Sequence, residues 1–339
     1  VWVTSSPATA LTPTAVALGN FDGIHRGHQQ VIQPILKSRG VSQTIATPSP
    51  SPELGLPNKS PDFVKTTAGE TESSYSTVVT FNPHPREFFS GQRQLVLTPL
   101  AEKVKQLEVL GVEQLVLLPF DRELAELSPQ QFVVNILVEQ LRATRVSVGK
   151  DFCFGRRRAG TSEDLQAIAA AYGIDVTIVG LETCQGDRIS SSDIRTALQE
   201  GKVEDANRLL GRPYTLTGTV SSGQQLGRTI GFPTANLQLP PEKFLPRQGV
   251  YAVEASSSLT LSAAHPAVMN IGQRPTINGV GYTIEVHLLD WSGDLYGQTL
   301  TVSLEKFLRP EQKFASLDEL KAQIQADCDT ARVILETGG

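Results

Sequence analysis

Apolar and polar positions along the chain follow two different patterns. Through residue 200, short apolar runs alternate with stretches whose apolar residues recur at helical spacing. Residues 14–18 (TAVAL) form a run suited to a buried parallel strand, stopped by Gly19. In 27–37, Val31, Ile32, Ile35 and Leu36 share one helical face, although Pro34 removes a backbone hydrogen bond from it. Further strands are expected at 78–81, 114–118, 145–148 and 174–179. A helix is expected from Thr98 as N-cap and Pro99 as N1, carrying Leu100, Val104 and Leu107 to a stop at Gly111. The capping box Ser128-Pro129-Gln130-Gln131 opens a helix to about residue 141, and 162–172 is another. Strand and helix in alternation imply a doubly wound parallel sheet covered on both faces.

Beyond Pro213 the pattern changes. Runs at 216–220, 250–254, 267–271, 283–289 and 299–304 are separated by Gly/Pro turns, as in a small antiparallel β-barrel. A last helix opens at the capping box Ser316-Leu317-Asp318-Glu319, with Leu317, Leu320, Ile324, Cys328, Ala331 and Leu335 as its buried stripe. The fold class is therefore α/β followed by β, divided as 1–200 and 201–339. Residues 44–77 fit neither pattern: 19 of these 34 are Pro, Ser, Thr or Gly, too little apolar surface to offset ordering. They read as a long loop inserted in the first domain.

Composition narrows the function. With 339 residues, 40% of them hydrophobic, the chain can fill two cores. A net charge of −5 disfavours a mainly electrostatic nucleic-acid or membrane-surface binder. Three scattered cysteines, Cys153, Cys184 and Cys328, suit a reducing compartment. No apolar run approaches about 20 residues, and the first residues carry no secretory pattern. A cytoplasmic protein without membrane or nucleic-acid partners is expected. An exposed barrel edge leaves room for a homo-oligomer.

The densest chemistry is Gly19-Asn20-Phe21-Asp22-Gly23-Ile24-His25-Arg26-Gly27-His28, between a strand and a helix. A helix N-terminus at the carboxyl edge of a parallel sheet suits nucleotide phosphates, and two imidazoles can donate to charge on a transferred phosphorus. As a bland alternative the segment is a glycine-rich turn with exposed histidines. Ile189-Ser190-Ser191-Ser192-Asp193-Ile194-Arg195 offers hydroxyls, free N–H groups and an arginine to a polyphosphate, or plain serine capping. TFNPHP (80–85) and GKDFCFG (149–155) lie at strand ends between them. In the second domain, Glu285 alternates with Ile284 and Val286, so it faces away from the side taken by Tyr282 and its apolar partners. A carboxylate aimed at a cleft can act as general base, or it is an ordinary solvent-facing glutamate on a barrel strand. Thr234 and Asn236, two residues apart, are hard oxygen donors suited to Mg²⁺, and PTAN is otherwise a turn. The segment 218–228, with Gly218, Gly223 and Gly227, could cradle phosphates through backbone N–H groups.

These motifs carry a resemblance. HxGH with ISSSxIR resembles the nucleotidyltransferase superfamily, and GNFDGIHRGH with TFNPHP is similar to its FMN adenylyltransferase branch. GFPTAN (231–236), NIGQRPT (270–276), EVHLL (285–289), GDLYG (293–297) and FLRP (307–310) resemble riboflavin kinase. Both sets in this order resemble the bifunctional prokaryotic FAD synthetase family. The resemblance implies phosphorylation of riboflavin by ATP to FMN in the second domain, and adenylylation of FMN to FAD with release of pyrophosphate in the first. It implies Glu285, His25, His28 and Arg195 as catalytic groups. For the adenylyltransferase it implies ATP contacts from Gly19, Asn20, Phe21, Asp22, Gly23, His25, His28, Ser191, Ser192 and Arg195, with His84, Asp151 and Phe154 near ATP or flavin. For the kinase it implies Gly218, Gly223, Gly227, Thr234, Asn236 and Tyr296 on ATP, Arg309 and Phe314 on flavin, and Thr234 and Asn236 on Mg²⁺. The insertion at 44–77, Ser192 in place of threonine, and Pro34 depart from the family's pattern.

Overall fold

The computed structural model describes residues 1–37, 74–180, 183–184, 187–221, 226–257, 259–276 and 279–337. Among these the first sheet has six strands: β1 (Trp2–Thr4), β2 (Thr14–Leu18), β3 (Tyr75–Asn82), β4 (Gln114–Pro119), β5 (Ala143–Gly149) and β6 (Asp175–Val179). They are all parallel, in the order β1-β4-β3-β2-β5-β6. Alternate residues of β2 enter different cores. Val16 and Leu18 pack under Phe132 and Leu137 on one face, while Ala15 and Ala17 pack with Ile32 and Leu107 on the other. Burial on both faces explains why the strands read as continuous apolar runs.

Several expectations change in detail. The chain after β2 is helical only over Arg26–Ile32 and tightens to a 3-10 turn over Gln33–Ile35, which takes Pro34 near its start where no N–H is required. Tyr75 to Thr77 belong to β3, so the expected insertion ends earlier than supposed; its residues 44–73 lie outside the described residues. The expected capping box at Ser128 is present, but its helix continues with π-type bonding over Val133–Gln140. Thr98 does not cap the helix Leu100–Val109, because its hydroxyl accepts the Gly23 N–H at 2.7 Å; Pro99 stands at the N-cap.

A two-residue hairpin, β7 (Thr183–Cys184) and β8 (Asp187–Arg188), precedes the helices Ser191–Glu200 and Val203–Leu210. The second unit is a closed antiparallel barrel of β9 (Tyr214–Ser221), β10 (Ala235–Gln238), β11 (Gly249–Ser257), β12 (Leu261–Thr276), β13 (Gly279–Leu288) and β14 (Thr299–Arg309). Their order round the barrel is β10-β13-β12-β11-β14-β9, and β9 pairs β10 to complete the ring. The last helix, Leu317–Thr337, seats Cys328 and Ala331 against Val250, Ala252 and Val268 outside the barrel. Leu317 is exposed and Leu320 is not among the packed residues, because the packed stripe begins at Ile324, two turns later.

The barrel interior is continuous with the junction helices. Ile194, Leu198, Val203 and Leu210, together with Leu97, join the cluster formed by Leu216, Tyr251, Met269 and Val286. Burying each such aliphatic side chain contributes about 1.5–3 kcal/mol. The join is thus packed core. It also holds an ion pair: Lys243 contacts Glu102 at 2.6 Å with side chains only 1% and 6% exposed. Burial pushes Glu102 up and Lys243 down to about 8, so each is costly alone and held by the other. Lys243 also donates to the Leu97 carbonyl and lies over the Tyr214 ring.

Candidate active sites

In the parallel sheet, the strand order reverses at β2, whose neighbours are β3 on one side and β5 on the other. Chains leaving β2 and β5 diverge and leave a crevice at their carboxyl ends, which is where ligands of such sheets bind. Residues 19–28 leave β2 at this point. Phe21 and Ile24 adopt left-handed backbone at φ 46° and 42°, costing about 1–3 kcal/mol each, and both side chains are buried in the core. Those buried anchors lead directly into the histidines at the start of the next helix. His25 caps the helix, its Nδ1 accepting the His28 N–H at 3.3 Å, and the two rings stack at 3.6 Å. Phe21 lies 5.3 Å from the His28 ring. Burial, with the nearby charges of His25 and Lys103, holds His28 well below the usual imidazole range. Its Nδ1 has no hydrogen-bond partner among the described residues.

The serine segment, some 170 residues later in sequence, reaches the same crevice. Ser190 caps the helix Ser191–Glu200, and Ser191 Oγ donates to the Asp22 carbonyl at 2.8 Å. Arg195, one turn in, donates to the Asp22 carboxylate and to the Ser191 and Leu95 carbonyls. The other Asp22 oxygen accepts the Thr98 N–H at 3.2 Å. Asp22 therefore ties three segments together, and Ser192 stands exposed at the helix start. His84, capping the helix Pro85–Ser90, feels the charges of Asp22, Lys103 and Arg195; burial is the main cause of its lowered pKa. Asp151 follows β5 at the crevice's other edge. Phe154 is a core residue, packed on Phe132 at 5.4 Å and Phe152 at 5.8 Å.

Two features escape the sequence. Lys103, on the helix Leu100–Val109, donates to the Asn20 carbonyl at 3.1 Å. Phe81, Phe88, Phe89 and Phe120 form an edge-to-face cluster with ring separations of 5.2–5.8 Å, and Phe89 is 72% exposed. The adjacent aromatics directly after TFNPHP were the available signal for the cluster; a helix-borne lysine gives none.

On the barrel, Glu285 sits in β13 directly opposite Asn236 of β10 and Asn270 of β12, and Asn236 is opposite Ser221. Residues directly opposed project to one face, while Ile284, Val286 and Leu288 fill the interior. Tyr282 lies on their side of the unbroken strand, as expected, but near the strand's start at the barrel rim, where it is 54% exposed. The Glu285 carboxylate has no hydrogen bond or ion pair among the described residues. His287, two residues on, is 2.8 Å from the Pro233 carbonyl, fixing the segment that presents Thr234 and Asn236.

The expected phosphate cradle is narrower than 218–228. Gly218 is paired within β9 and faces inward, where a β-carbon would collide with the Gln238 carbonyl. Gly223 lies outside the described residues. Gly227 is required for a different close approach, since a β-carbon there would strike the Phe232 carbonyl. Tyr296 lies in the turn whose next residue, Gly297, donates to Val220 at the end of β9. Arg309 is clamped by Asp327 of the last helix, Nη2 to Oδ2 at 2.7 Å, and stacks 5.8 Å from the Phe314 ring. At the same end, Tyr282, Pro310, Glu311, Gln199 and Arg247 line an open cleft of about 520 Å³.

A switch-point crevice lined by paired imidazoles, joined to a barrel with an outward carboxylate between two amides, defines a two-module phosphate-group transferase. Comparison with known proteins agrees. The riboflavin kinase family model matches residues 210–335, and the FAD synthetase model matches 8–68 and 64–193. The chain is 40% identical over 319 residues to the bifunctional riboflavin kinase/FMN adenylyltransferase of Escherichia coli (strain K12), covering 94% of this chain and 91% of that one. It is 37% identical over 323 residues to the Bacillus subtilis (strain 168) protein of the same name, covering 93% and 90%. The chain belongs to the bifunctional riboflavin kinase/FMN adenylyltransferase family. A crystal structure titled macrolide-efflux protein from Streptococcus pneumoniae superposes with TM-score 0.79 at 30% identity, covering 97% of this chain and 98% of that one. No helix among the described residues is long and apolar enough to cross a membrane.

Proposed function

We propose that this chain makes both flavin cofactors in sequence, each with ATP: riboflavin to FMN in residues 201–339, then FMN to FAD in residues 1–200. The observation that carries the reading is the presence of two complete polar constellations on the two folds whose family models match. In the kinase, Glu285 accepts the proton of the riboflavin 5′-hydroxyl as its oxygen attacks the γ-phosphorus, and ADP leaves. Thr234 and Asn236 supply oxygen donors beside Glu285, a set whose chemistry fits Mg²⁺, and they would hold it; the ion would neutralise phosphate charge. Backbone near Gly227 and the Tyr296 turn border the nucleotide, while Arg309 and Phe314 border the flavin.

In the adenylyltransferase an FMN phosphate oxygen attacks the α-phosphorus of ATP in line, and pyrophosphate leaves. Protein groups align and stabilise charge without a covalent intermediate. His25 and His28 donate to the phosphates. Ser191, Ser192 and Arg195 hold the tail, with Asp22 positioning the arginine. Gly19 to Gly23 border the nucleotide, and Asp151 lies near the bound substrates. The exposed Phe88 and Phe89 offer a flat apolar wall to the isoalloxazine beside His84. Phe154 supports this site from the core.

Incubation with riboflavin, ATP and Mg²⁺ tests the whole scheme. FAD is the expected product. FMN alone would limit activity to the barrel, and unchanged riboflavin would reduce the protein to a binder.

A further inference from the structure

We propose that Lys103 is a substrate-binding residue of the FMN-adenylylating crevice, its ammonium taking a phosphate oxygen of one of the two phosphorylated substrates, ATP or FMN. This rests on the adenylyltransferase reading above and adds a cation to it.

Lys103 is delivered to the crevice by fixed parts. Its helix begins at Leu100, and the segment before it is stitched to the histidine loop by the Thr98 N–H on Asp22 and the Gly23 N–H on Thr98. Helix and loop therefore hold their spacing. From there the side chain reaches the Asn20 carbonyl, which already accepts the Thr80 hydroxyl at 2.9 Å.

The ammonium is poorly matched in the protein alone. It has three N–H donors, and the Asn20 carbonyl is its one hydrogen-bond partner among the described residues. No carboxylate lies within 4 Å of it among them. Asp22, the acid whose charge it feels, is committed to Arg195 and the Thr98 N–H. Lys103 is half-buried, and that burial lowers its proton affinity.

The groups round it share the deficit. His28 and His84 both feel the Lys103 charge, and the buried Nδ1 of His28 is unpartnered. Two spare ammonium donors and an unmatched imidazole at the mouth of a switch-point crevice fit a phosphate group. An arriving anion would supply the missing partner and raise the lysine's proton affinity. The plain alternative is a lysine whose stem covers the helix–loop contact while its head points to water.

Full-length Lys103→Gln and Lys103→Arg separate these readings. FAD formation from FMN is measured with ATP varied at saturating FMN and with FMN varied at saturating ATP. For Lys103→Gln we expect kcat/KM to fall by about tenfold to a hundredfold, with Lys103→Arg recovering most of it. A KM rise for ATP assigns the nucleotide phosphate, and a KM rise for FMN assigns the flavin phosphate; either supports the proposal. Riboflavin phosphorylation by the same preparations reports folding. Lys103→Gln within twofold of wild type for both substrates overturns the proposal. So does equal damage in Gln and Arg variants, or parallel loss of the kinase reaction, which would mark a structural role. Should wild type make no FAD from FMN, the adenylyltransferase reading itself fails, and this inference with it.

Discussion

Glu285 faces outward between two asparagines with no partner of its own among the described residues, so its replacement removes chemistry without opening a core. Glu285→Gln should lower riboflavin phosphorylation by about a hundredfold or more while FMN-to-FAD conversion persists. Chromatography of the two products after separate incubations decides it, and a retained kinase rate would remove the general-base role. His28 gives a pH-dependent case. Its folded pKa lies below the 6.5 of an exposed imidazole, so on acidification the unfolded chain takes up a proton that the folded chain resists. The associated stability is complete above about pH 6.5 and declines as the pH falls. The melting temperature of wild type should therefore drop more steeply from pH 7.5 to 5.5 than that of His28→Gln. Parallel slopes would show that the ring is not held neutral.

At the scale of elements, the turn from Gly227 to Phe232 leads into Thr234 and Asn236, the oxygen donors proposed for the kinase, and Asn236 lies opposite Glu285. Gly227→Ala forces a β-carbon onto the Phe232 carbonyl, and the turn must open. We expect about 1–3 kcal/mol of destabilisation and a raised KM for ATP in the kinase reaction, with FAD formation from FMN unaffected. An unchanged KM would separate this turn from the nucleotide. The same scale decides what could be read from the chain. β2 to β5 were legible because burial leaves largely apolar runs; the edge strand β6, with no fully buried residue, was marked by its half-buried Val176, Ile178 and Val179. The three-residue β1 and four-residue β10 are too short to display a period, and β10 reads locally as a turn. The histidine and serine motifs announced themselves by composition. Their union through Asp22 did not, because that aspartate is an ordinary loop residue until Arg195 arrives from a distant helix. Thr98 misleads for a similar reason: a good cap by local rules is taken by a stronger claim from Gly23. Gly218 looked like loop chemistry, yet its role is to let two barrel strands approach.

The whole molecule is held at the join. Lys243 and Glu102 come from different modules and are buried together, so removing one strands the other. Lys243→Met should cost about 3–5 kcal/mol by denaturation midpoint, and adding Glu102→Leu should recover much of that loss. Additive losses would show that each side chain packs independently of its partner. Around this pair, Arg212 donates to the Gly23 carbonyl at 2.7 Å and Gln29 to that of Leu210 at 3.2 Å. The backbones of Val96 and Phe244 are bonded as well.

These cross-links impose an order on biosynthesis. When translation has reached residue 180, every strand of the parallel sheet exists, yet the arginine that grips Asp22, the arginine that grips Gly23 and the lysine that neutralises Glu102 are still unmade. A nascent chain arrested there should carry the histidine loop without its braces. The module that acts second on the flavin is thus made first and finished last, once the beginning of the barrel has left the ribosome.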